Sequence, residues 1–434
     1  MLPSVPIVRF MASGALILAV FWVLRPFTAC RSRPAGGQSS AMSGGIATIV
    51  HLDADAFFVS CELARRPELR GRRCAVGGGE RGIISSASYE ARAAGVYTPM
   101  PSRRALQVCP DLVLLPHTAG LYGDVSRRMF DVCETLTPLV QRNSIDEGYL
   151  DLGLCGFAST EQVESAVRAL QARIWEELQV PVSFGIASNK LVAQVASKLR
   201  KPRGFVVVPP GAEAAFLAPL PVGRLPGIGA KTEAELASAH GIRLVSDITS
   251  APETRLRAAF GDGWRGMLAA ARGEDDSPVE TAEEDARSYS QQETFARDVA
   301  DFAEVERVAK RMVDELLAKV RADGKRVRTL TVKVRYPDFS QAAHGRSLAE
   351  ATDLEAPFYP LVGPLLREAW TKRRPLRLVS VRFSNVAGAA GQLEMFGADD
   401  ERRRRLAAVM DRLNRDGRGG GVLHGHQLAK PPGR

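Results

Sequence analysis

The feature that most constrains the fold is a short apolar segment that runs directly into an acidic residue. Residues 46–52 (Ile-Ala-Thr-Ile-Val-His-Leu) are β-branched and mostly apolar, which is typical of a buried strand, and Asp53 follows them. The segment therefore predicts a sheet that presents a carboxylate at the end of a strand.

Helices and strands alternate further along the chain. Ser159 and Gln162 form a capping-box signature, and the apolar residues after them keep the spacing of one helix face. These residues are Val163, Val167, Leu170, Ile174 and Leu178. A strand over residues 182–187 and a second helix over residues 189–200 follow. This interleaving predicts an α+β domain.

Composition agrees with a globular protein. The chain has 434 residues, of which 45% are apolar and 25% charged, so it can bury substantial cores in about two to four domains. A disordered or fibrous protein is excluded. The six cysteines are scattered without a Cys-x-x-Cys pair, which indicates neither a zinc site nor a disulfide framework and is typical of a reducing compartment.

The N-terminus carries an apolar stretch, residues 10–24, between Arg9 and Arg25. It resembles the hydrophobic part of a signal peptide and is short for a membrane span. A Gly- and Ser-rich segment follows, and Met42 lies just before the first predicted strand. We expect Met42 to be the native start and residues 1–41 to be a mis-assigned extension. A peptide from residues 34–41 in the native protein would contradict this.

A glycine-rich turn follows the α+β region. Residues 225–232 read Leu-Pro-Gly-Ile-Gly-Ala-Lys-Thr, which predicts a helix-hairpin-helix element. Such a turn aims backbone N–H groups at a phosphate, so Gly227, Gly229 and Lys231 are candidate DNA contacts. An ordinary connection between helices is the alternative. An acidic, loop-like stretch over residues 273–285 then predicts a linker.

Positive charge is concentrated in the last third of the chain. Residues 301–434 contain 26 Lys and Arg against 17 Asp and Glu, whereas residues 1–300 contain 32 of each kind. This third is therefore the part expected to face a polyanion. From charge alone, a solvated basic surface is an equal alternative.

Two segments in this third, 326–336 and 377–384, alternate as strands. Their apolar residues point to one face and their Arg, Lys and hydroxyl residues to the other. The polar face suits a nucleic-acid backbone. Its candidate DNA contacts are Lys333, Arg335 and Arg382.

Asp146 and Glu147 form a second acidic feature. Phosphoryl transfer to a 3′-hydroxyl uses two divalent ions about 3.5–4 Å apart, which need several converging carboxylates. Adjacent strand residues face opposite ways, so both reach one site only if the chain turns or bulges there. Asn143-Ser144 and Gly148 permit such a turn. Taken alone, an Asp-Glu pair is more often a solvated turn.

Five motifs stand in the order and approximate spacing of the Y-family DNA polymerases, and the chain resembles the DinB-type members of that family over roughly residues 46–425. The motifs are His51–Glu62 (His-Leu-Asp-Ala-Asp-Ala-Phe-Phe-Val-Ser-Cys-Glu), Tyr89–Arg92 (Tyr-Glu-Ala-Arg), Ser144–Glu147 (Ser-Ile-Asp-Glu), Ser188–Lys190 (Ser-Asn-Lys) and Lys201–Gly204 (Lys-Pro-Arg-Gly).

The resemblance implies an α+β, multidomain right-hand polymerase with a ferredoxin-like palm, small fingers, a helix-hairpin-helix thumb and an α/β little finger. The implied domains are an N-terminal extension (1–45), the palm (46–56 and 119–208), the fingers (57–118), the thumb (209–275), a linker (276–286), the little finger (287–388) and a C-terminal tail (389–434).

The resemblance also implies roles for single residues. Asp53, Asp146 and the catalytic Glu147 would hold two Mg²⁺ ions, with the backbone carbonyl of Ala54. Phe58 matches a steric gate that excludes ribonucleotides. The residues implied to bind the nucleotide are Phe57, Ser86, Tyr89, Arg92 and Lys201. Core packing is the alternative for the two phenylalanines, and it suits Phe57 better than Phe58.

Near the C-terminus, residues 391–397 read Gly-Gln-Leu-Glu-Met-Phe-Gly. In this family such a peptide docks into the sliding clamp (the β subunit). The residues expected to bind are Gln392, Leu393, Met395 and Phe396. The Arg-rich residues 401–405 either bind nucleic acid or belong to a helix that is packed through its apolar positions. Those positions are Leu406, Val409 and Leu413.

The sequence therefore predicts a template-directed DNA polymerase for translesion synthesis and DNA damage tolerance, error-prone on undamaged DNA. We expect a cytoplasmic monomer that uses primer–template DNA and dNTPs without a membrane. The alternatives are a non-catalytic DNA- and clamp-binding accessory, which should lack the carboxylates, and a nucleotide cyclase with a similar palm. Gln194 and Lys198 depart from the family pattern and bear on contacts with the triphosphate.

Overall fold

The computed structural model describes residues 45–79, 81–282, 285–372, 374–388 and 398–415, together with residues 422 and 425. The expectations about Met42 and the N-terminal stretch, and about the clamp peptide at residues 392–396, lie outside these ranges.

The strands are β1 (Ile49–Ala54), β2 (Cys74–Val76), β3 (Ile83–Ile84), β4 (Ser86–Ala87), β5 (Met100–Pro101), β6 (Val113–Leu115), β7 (Val140–Arg142), β8 (Glu147–Asp151), β9 (Val182–Ala187), β10 (Phe205–Val207), β11 (Ser288–Val299), β12 (Lys325–Arg335), β13 (Gln341–Thr352) and β14 (Leu376–Gly388). The helices are α1 (Phe57–Arg65), α2 (Tyr89–Ala93), α3 (Ser102–Val108), α4 (Leu121–Glu134), α5 (Thr160–Leu178), α6 (Lys190–Leu199), α7 (Glu213–Leu217), α8 (Ala230–Ala239), α9 (Val245–Ser250), α10 (Glu253–Phe260), α11 (Trp264–Ala271), α12 (Phe302–Ala322), α13 (Tyr359–Ala369) and α14 (Ala398–Arg415).

The chain divides into two compact units. The first unit combines Met1–Asp55 with Gly123–Thr281, and the second combines Ala56–Tyr122 with Ala282–Arg434. The first unit therefore contains the expected palm and thumb, and the second contains the expected fingers and little finger.

A five-stranded sheet forms the centre of the first unit, in the order β10-β9-β1-β8-β7. β1 runs antiparallel to both β8 and β9, and α5 and α6 pack against the sheet. Val50 and Leu52 of β1 are fully buried, as the β-branched pattern predicts. The strand begins at Ile49, not at Ile46, and it continues one residue beyond the predicted end at Asp53, because β9 also pairs with Ala54.

The capped helix of the first unit is confirmed. Ser159 caps α5 by accepting the N–H of Gln162 at 3.4 Å, and the side-chain oxygen of Gln162 accepts the N–H of Ala158. The five apolar positions expected on one face are all buried. This face fixes the helix against the sheet that carries Asp53.

Short helices, α7 to α11, also belong to the first unit and share an apolar core with α6. Gly227 has a φ of +88°, which favours glycine, and Gly229 is the N-cap of α8. A 3₁₀ turn at Val222–Arg224 precedes this glycine turn, and α8 follows it. The turn itself is present and exposed.

The last third of the chain forms an antiparallel sheet in the order β11-β14-β12-β13. One face packs on α12 and α13, and the predicted apolar residues of β12 and β14 lie in this core. Ser380 lies on the face opposite this core, as predicted, but it is buried there. It is flanked by its cross-strand partners Gln292 and Lys333, and its hydroxyl donates to the Gln291 carbonyl at 2.9 Å.

The second unit also holds α1 to α3 and two small sheets, β4-β2-β6 and β3-β5. Here Arg81, which precedes β3, forms an ion pair of 2.5 Å with Asp298 of β11. This contact joins the predicted fingers to the predicted little finger within one unit.

The packing expected of the C-terminal helix is wrong. Leu406, Val409 and Leu413 of α14 are 60%, 47% and 51% exposed. The other side of the helix is held instead, through the buried Ala407 and the ion pair between Asp411 and Arg321 at 2.7 Å.

In the part of the chain that the structure describes, no helix combines the length and the apolar character that crossing a membrane requires.

Candidate active site

The acidic pair lies at the turn that the sequence requires. The backbone N–H groups of Asn143 and Ser144 both donate to the Glu147 carbonyl, at 3.0 and 3.1 Å. The Ser144 hydroxyl oxygen accepts the N–H groups of Asp146 and Glu147, each at 3.2 Å. Asp146 therefore precedes β8, and Glu147 is its first residue. The predicted turn is confirmed.

Strand register then brings Glu147 to Asp53. The two residues are direct partners in the β1–β8 pairing, and the Ala54 N–H donates to the Asp146 carbonyl at 2.8 Å. Like charges directly opposite each other on a sheet are destabilising. The pair therefore requires positive charge close by.

Two lysines supply this charge. The Lys198 Nζ, from the last turn of α6, lies 2.9 Å from Glu147 Oε2 and 3.8 Å from Asp53 Oδ2. The Lys201 Nζ hydrogen-bonds Asp53 Oδ1 and lies 3.5 Å from the Ala54 carbonyl oxygen. Lys201 was expected at the triphosphate, and it stands beside the carboxylates. The sequence marks Lys198 only as a departure from the family pattern and does not predict these contacts.

Asp55 fixes the loop that carries Lys201. Its fully buried carboxylate accepts the Ser183 hydroxyl at 2.9 Å and the Arg203 N–H at 2.7 Å. It also lies 3.5 Å from the Lys201 Nζ. Sequence reasoning missed this role, although the Asp-Ala-Asp pattern contains a signal, since residues two apart on a strand share a face.

His51 lies buried beneath the pair. The Ser197 hydroxyl donates to the Gln194 carbonyl at 2.9 Å, so the His51 Nδ1–H donates to that hydroxyl oxygen, at 2.7 Å. The Nε2 atom then carries a lone pair and lies 4.0 Å from Glu147 Oε2. It has no hydrogen-bond partner among the described residues. Burial, followed by Lys198 and Lys201, lowers the pKa of His51 to about 3, so the ring is neutral.

Burial also raises the pKa of Asp53, against the opposing pull of Lys201 and Lys198. A carboxylate that is poorly solvated in this way attracts cations. The neutral His51 Nε2, which is buried and has no hydrogen-bond partner within the described structure, places a further lone pair 4.0 Å from Glu147 Oε2. Hard oxygen atoms from Asp53, Glu147 and the Ala54 carbonyl are the donor type that Mg²⁺ prefers.

These residues therefore supply oxygen donors of the type that a divalent ion needs. The third carboxylate, that of Asp146, is engaged by a hydroxyl group. The Asp146 side chain accepts the Ser144 hydroxyl at 2.5 Å. Between residue 45 and residue 425, among those the structure describes, no three acidic, histidine or cysteine side chains converge into a metal-binding group. Repulsion between carboxylates explains this arrangement, since each anion is paired with a lysine or a hydroxyl instead.

The ring of Phe58, in the second unit, is held in place by other aromatic rings. Its ring stacks on Tyr122 with centroids 4.3 Å apart and meets His117 edge-on at 5.7 Å. The Tyr122 hydroxyl donates to the buried Glu62 at 2.9 Å, and burial raises its pKa to about 12. Phe57, by contrast, is 3% exposed, which matches the packing alternative. The chain enters this helix through Ala56, whose φ of 47° is unusual for a residue with a side chain.

The other predicted nucleotide residues are also in the second unit. Ser86 is buried and accepts the Val59 N–H at 3.3 Å, so it supports the helix that bears Phe58. Tyr89 and Arg92 share α2, with the guanidinium carbon 5.0 Å from the centre of the Tyr89 ring. The Arg92 Nε donates to the Ala87 carbonyl, and the residue is exposed.

The candidate DNA contacts are solvent-accessible. Lys333 and Arg335 are half-buried on the β12 face opposite the core, and Arg382 is exposed on β14, where it pairs with Thr331. Lys231 is exposed on the first turn of α8.

Three family models match this chain. The impB/mucB/samB family matches residues 52–198, its C-terminal domain matches residues 286–395, and the IMS family HHH motif matches residues 210–242. The first match contains the carboxylates and Lys198, and the second contains the basic sheet.

Two similar proteins are both named DNA polymerase IV. DNA polymerase IV of Opitutus terrae is 71% identical, covering 89% of this chain and 98% of that protein. DNA polymerase IV of Desulfatibacillum aliphaticivorans is 38% identical, covering 84% and 92%.

Solved structures agree. A Y-family DNA polymerase chimera built on Dbh has a TM-score of 0.71 at 26% identity, covering 78% of this chain and 99% of that one. An insertion ternary complex of Dbh DNA polymerase has a TM-score of 0.57 at 25% identity over the same shares. The matches and the site geometry together show that this chain belongs to the impB/mucB/samB family, the Y-family of DNA polymerases.

Proposed function

We propose that this chain is a template-directed DNA polymerase for translesion synthesis in which Asp53, Asp146 and Glu147 hold two Mg²⁺ ions. The observation that carries the proposal is the direct cross-strand pairing of Asp53 with Glu147, beside a turn that delivers Asp146. The 71% identity to a DNA polymerase IV supports the same activity.

The chain's own residues set up the reaction. Two bound ions would activate the primer 3′-hydroxyl and neutralise the charge of the triphosphate and its leaving oxygen. Asp53 and Glu147 would supply carboxylate oxygens as metal ligands. Because the buried His51 is neutral, it does not cancel their negative charge. Lys201 binds the triphosphate once its carboxylate partner is engaged. The resemblance assigns triphosphate contacts to Tyr89 and Arg92 as well.

Sugar selection depends on a ring that cannot move away. Phe58 is stacked on Tyr122, and Tyr122 is anchored on the buried Glu62. A rigid ring under the incoming sugar leaves no room for a 2′-hydroxyl, so dNTPs are favoured over rNTPs. Phe57 and Ser86 support the helix that bears this ring from the core, and they complete the proposed nucleotide-binding residues beside it.

We also propose the partners. The residues proposed to contact primer–template DNA are those of the basic face of β12 and β14. The glycine turn before α8 is a separate candidate for a phosphate contact. The sliding clamp takes the peptide with Gln392, Leu393, Met395 and Phe396. The enzyme works as a cytoplasmic monomer and recruits the clamp for local synthesis past damage.

The test is primer extension with Mg²⁺ on an undamaged template and on a panel of templates with single defined lesions. Wild type should extend both kinds and insert opposite at least one lesion that blocks a replicative polymerase. Glu147→Ala should bind the same DNA and extend neither.

A different result would favour the alternative. If wild type binds DNA and clamp but never extends a primer, the chain is a non-catalytic accessory. Extension that stops at every lesion would keep the polymerase and remove the role in damage tolerance.

A further inference from the structure

The carboxylate site contains a second lysine that the proposed chemistry does not use. Lys201 already binds Asp53 Oδ1 and matches the family's triphosphate contact. Lys198 occupies the remaining side of the pair, 2.9 Å from Glu147 Oε2 and 3.8 Å from Asp53 Oδ2. Its ammonium group therefore stands between the two proposed metal ligands.

We propose that Lys198 is a displaceable counter-ion of the catalytic carboxylates, which holds Asp53 and Glu147 together before metal binds and competes with the incoming divalent ion. This inference rests on the proposed function, since it takes these two carboxylates as metal ligands.

Charge counting supports the role. With all groups ionised, the carboxylates of Asp53, Asp55, Asp146 and Glu147 and the two lysines sum to −2, and without Lys198 they sum to −3. A more negative cluster attracts a dication more strongly. Metal-free enzyme, however, would then keep two opposed carboxylates without a cation between them.

The geometry allows displacement. The Lys198 side chain is 39% exposed, so its ammonium group can return to water while the helix stays in place. Glu147 and Asp53 are 23% and 11% exposed, and they have less freedom to leave. The mobile partner is therefore the lysine.

A helix-end role would not explain the position. Lys198 lies in the last turn of α6, where any cation interacts favourably with the helix dipole. Its nitrogen, however, contacts carboxylates from β1 and β8. Removal of a simple helix-end cation would lower stability without tightening the binding of metal.

The experiment measures binding of Mn²⁺ to the full chain, without DNA or nucleotide, from the spectrum of free Mn²⁺ in electron paramagnetic resonance. Lys198→Gln should bind Mn²⁺ about five-fold more tightly than wild type, which discounts a single-charge effect for the exposure of the side chain. Lys198→Arg keeps the charge and should bind as weakly as wild type. Arg200→Gln, which removes an exposed charge two residues away, should leave the affinity unchanged.

A second measurement follows thermal unfolding in EDTA and in Mg²⁺. Lys198→Gln should melt at a lower temperature than wild type in EDTA, and Mg²⁺ should raise its melting temperature by more than it raises that of wild type. This readout shows whether the variant is folded and needs no activity.

The outcomes separate the two proposals. Equal or weaker Mn²⁺ binding by Lys198→Gln, with binding lost in Asp53→Ala, would overturn the role of Lys198 and keep the metal site. Unchanged binding in Asp53→Ala would overturn the metal site, and the role of Lys198 would fall with it. If Arg200→Gln tightened Mn²⁺ binding as much as Lys198→Gln, the effect would come from the overall charge and the specific role of Lys198 would be overturned.

Discussion

The sheet that bears Asp53 and the sheet that bears Arg382 have the same layered arrangement but place their charged side chains differently. Both have an apolar face covered by helices. In the first, the carboxylates lie at the end of β1 and the start of β8, where Asp53 is buried and Glu147 is partly buried, and they are paired with Lys201 and Lys198. In the second, Lys333, Arg335 and Arg382 lie on the open face of the strands.

This difference separates two physical tasks. Phosphoryl transfer needs catalytic carboxylates that are fixed before the substrate arrives, because pre-organised charge costs no rearrangement in the transition state. A DNA backbone needs many adaptable cations that are matched to a repeating charge. Changes in the first sheet should therefore alter rate, and changes in the second should alter affinity.

The largest expected effect comes from Asp53. Asp53→Ala should lower the rate of single-nucleotide insertion by at least about a thousand-fold, or about 4 kcal/mol of transition-state stabilisation. The dissociation constant for primer–template DNA should stay within about two-fold, because the lost interaction is made mainly in the transition state. Rapid-quench insertion and fluorescence anisotropy measure the two quantities.

A matched control is Asp151→Ala. This carboxylate lies at the other end of β8 and accepts the Gly153 N–H at 2.8 Å, away from the proposed ligands. If both variants lose insertion equally, or if Asp53→Ala also loses DNA binding, the two sheets do not divide rate from affinity.

Phe58 should give the next effect. Phe58→Ala opens space beside Tyr122, so the preference for dNTP over rNTP should fall by about a hundred-fold, through loss of a steric barrier and not of an attraction. Competitive insertion of dCTP and CTP opposite a template guanine measures the ratio. Phe57→Leu, a change in the buried neighbour, should leave the ratio unchanged, and an equal fall there would remove Phe58 from the gate.

A smaller effect is expected on the basic sheet. Replacement of Lys333, Arg335 and Arg382 by glutamine should weaken DNA binding about ten-fold and lower the salt slope by up to about 2.7, or about 0.9 for each lost phosphate contact. Insertion at saturating DNA should be unchanged. Anisotropy titrations at several salt concentrations measure the slope.

The control removes the same charge from the other side of this sheet. Its substitutions are Arg307→Gln, Lys310→Gln and Lys319→Gln on α12. A similar salt effect from both triple variants would mean that the sheet's open face is not the DNA face.

The smallest effect on the isolated enzyme should come from the predicted clamp-binding peptide. Alanine at Gln392, Leu393, Met395 and Phe396 should remove stimulation by the clamp, because a docked peptide acts by raising local concentration. Synthesis without clamp should not change. Primer extension with and without clamp measures this, and equal losses in both would count against docking.

Local patterns predicted much of this architecture from the sequence. The capped helix α5, the turn before Glu147 and the alternation of β12 each depend on residues close together in the chain. The strand that carries Asp53 is also predicted, although it begins three residues and ends one residue later than the pattern indicates. The resemblance then supplied the roles of residues that local patterns could not join.

Partners that are distant in sequence could not be predicted. Asp55 and Arg203 are 148 residues apart, and His51 and Ser197 are 146 apart. Lys198 was noted as unusual, but its contact with Glu147 depends on how α6 crosses β1 and β8. The burial of Ser380 and the exposure of Leu406 could not be predicted either, because contacts with neighbouring strands and ion pairs determine them.

Ala56 links β1 to α1 with a φ of 47° and a ψ of 49°. Left-handed backbone of this kind suits Gly and Asn, and it costs β-branched residues most. In a library randomised over residues 53–58, position 56 should therefore enrich Gly and Asn and deplete Val, Ile and Thr. Selection there would act on backbone shape, although every neighbour in the segment is under selection for chemistry or packing.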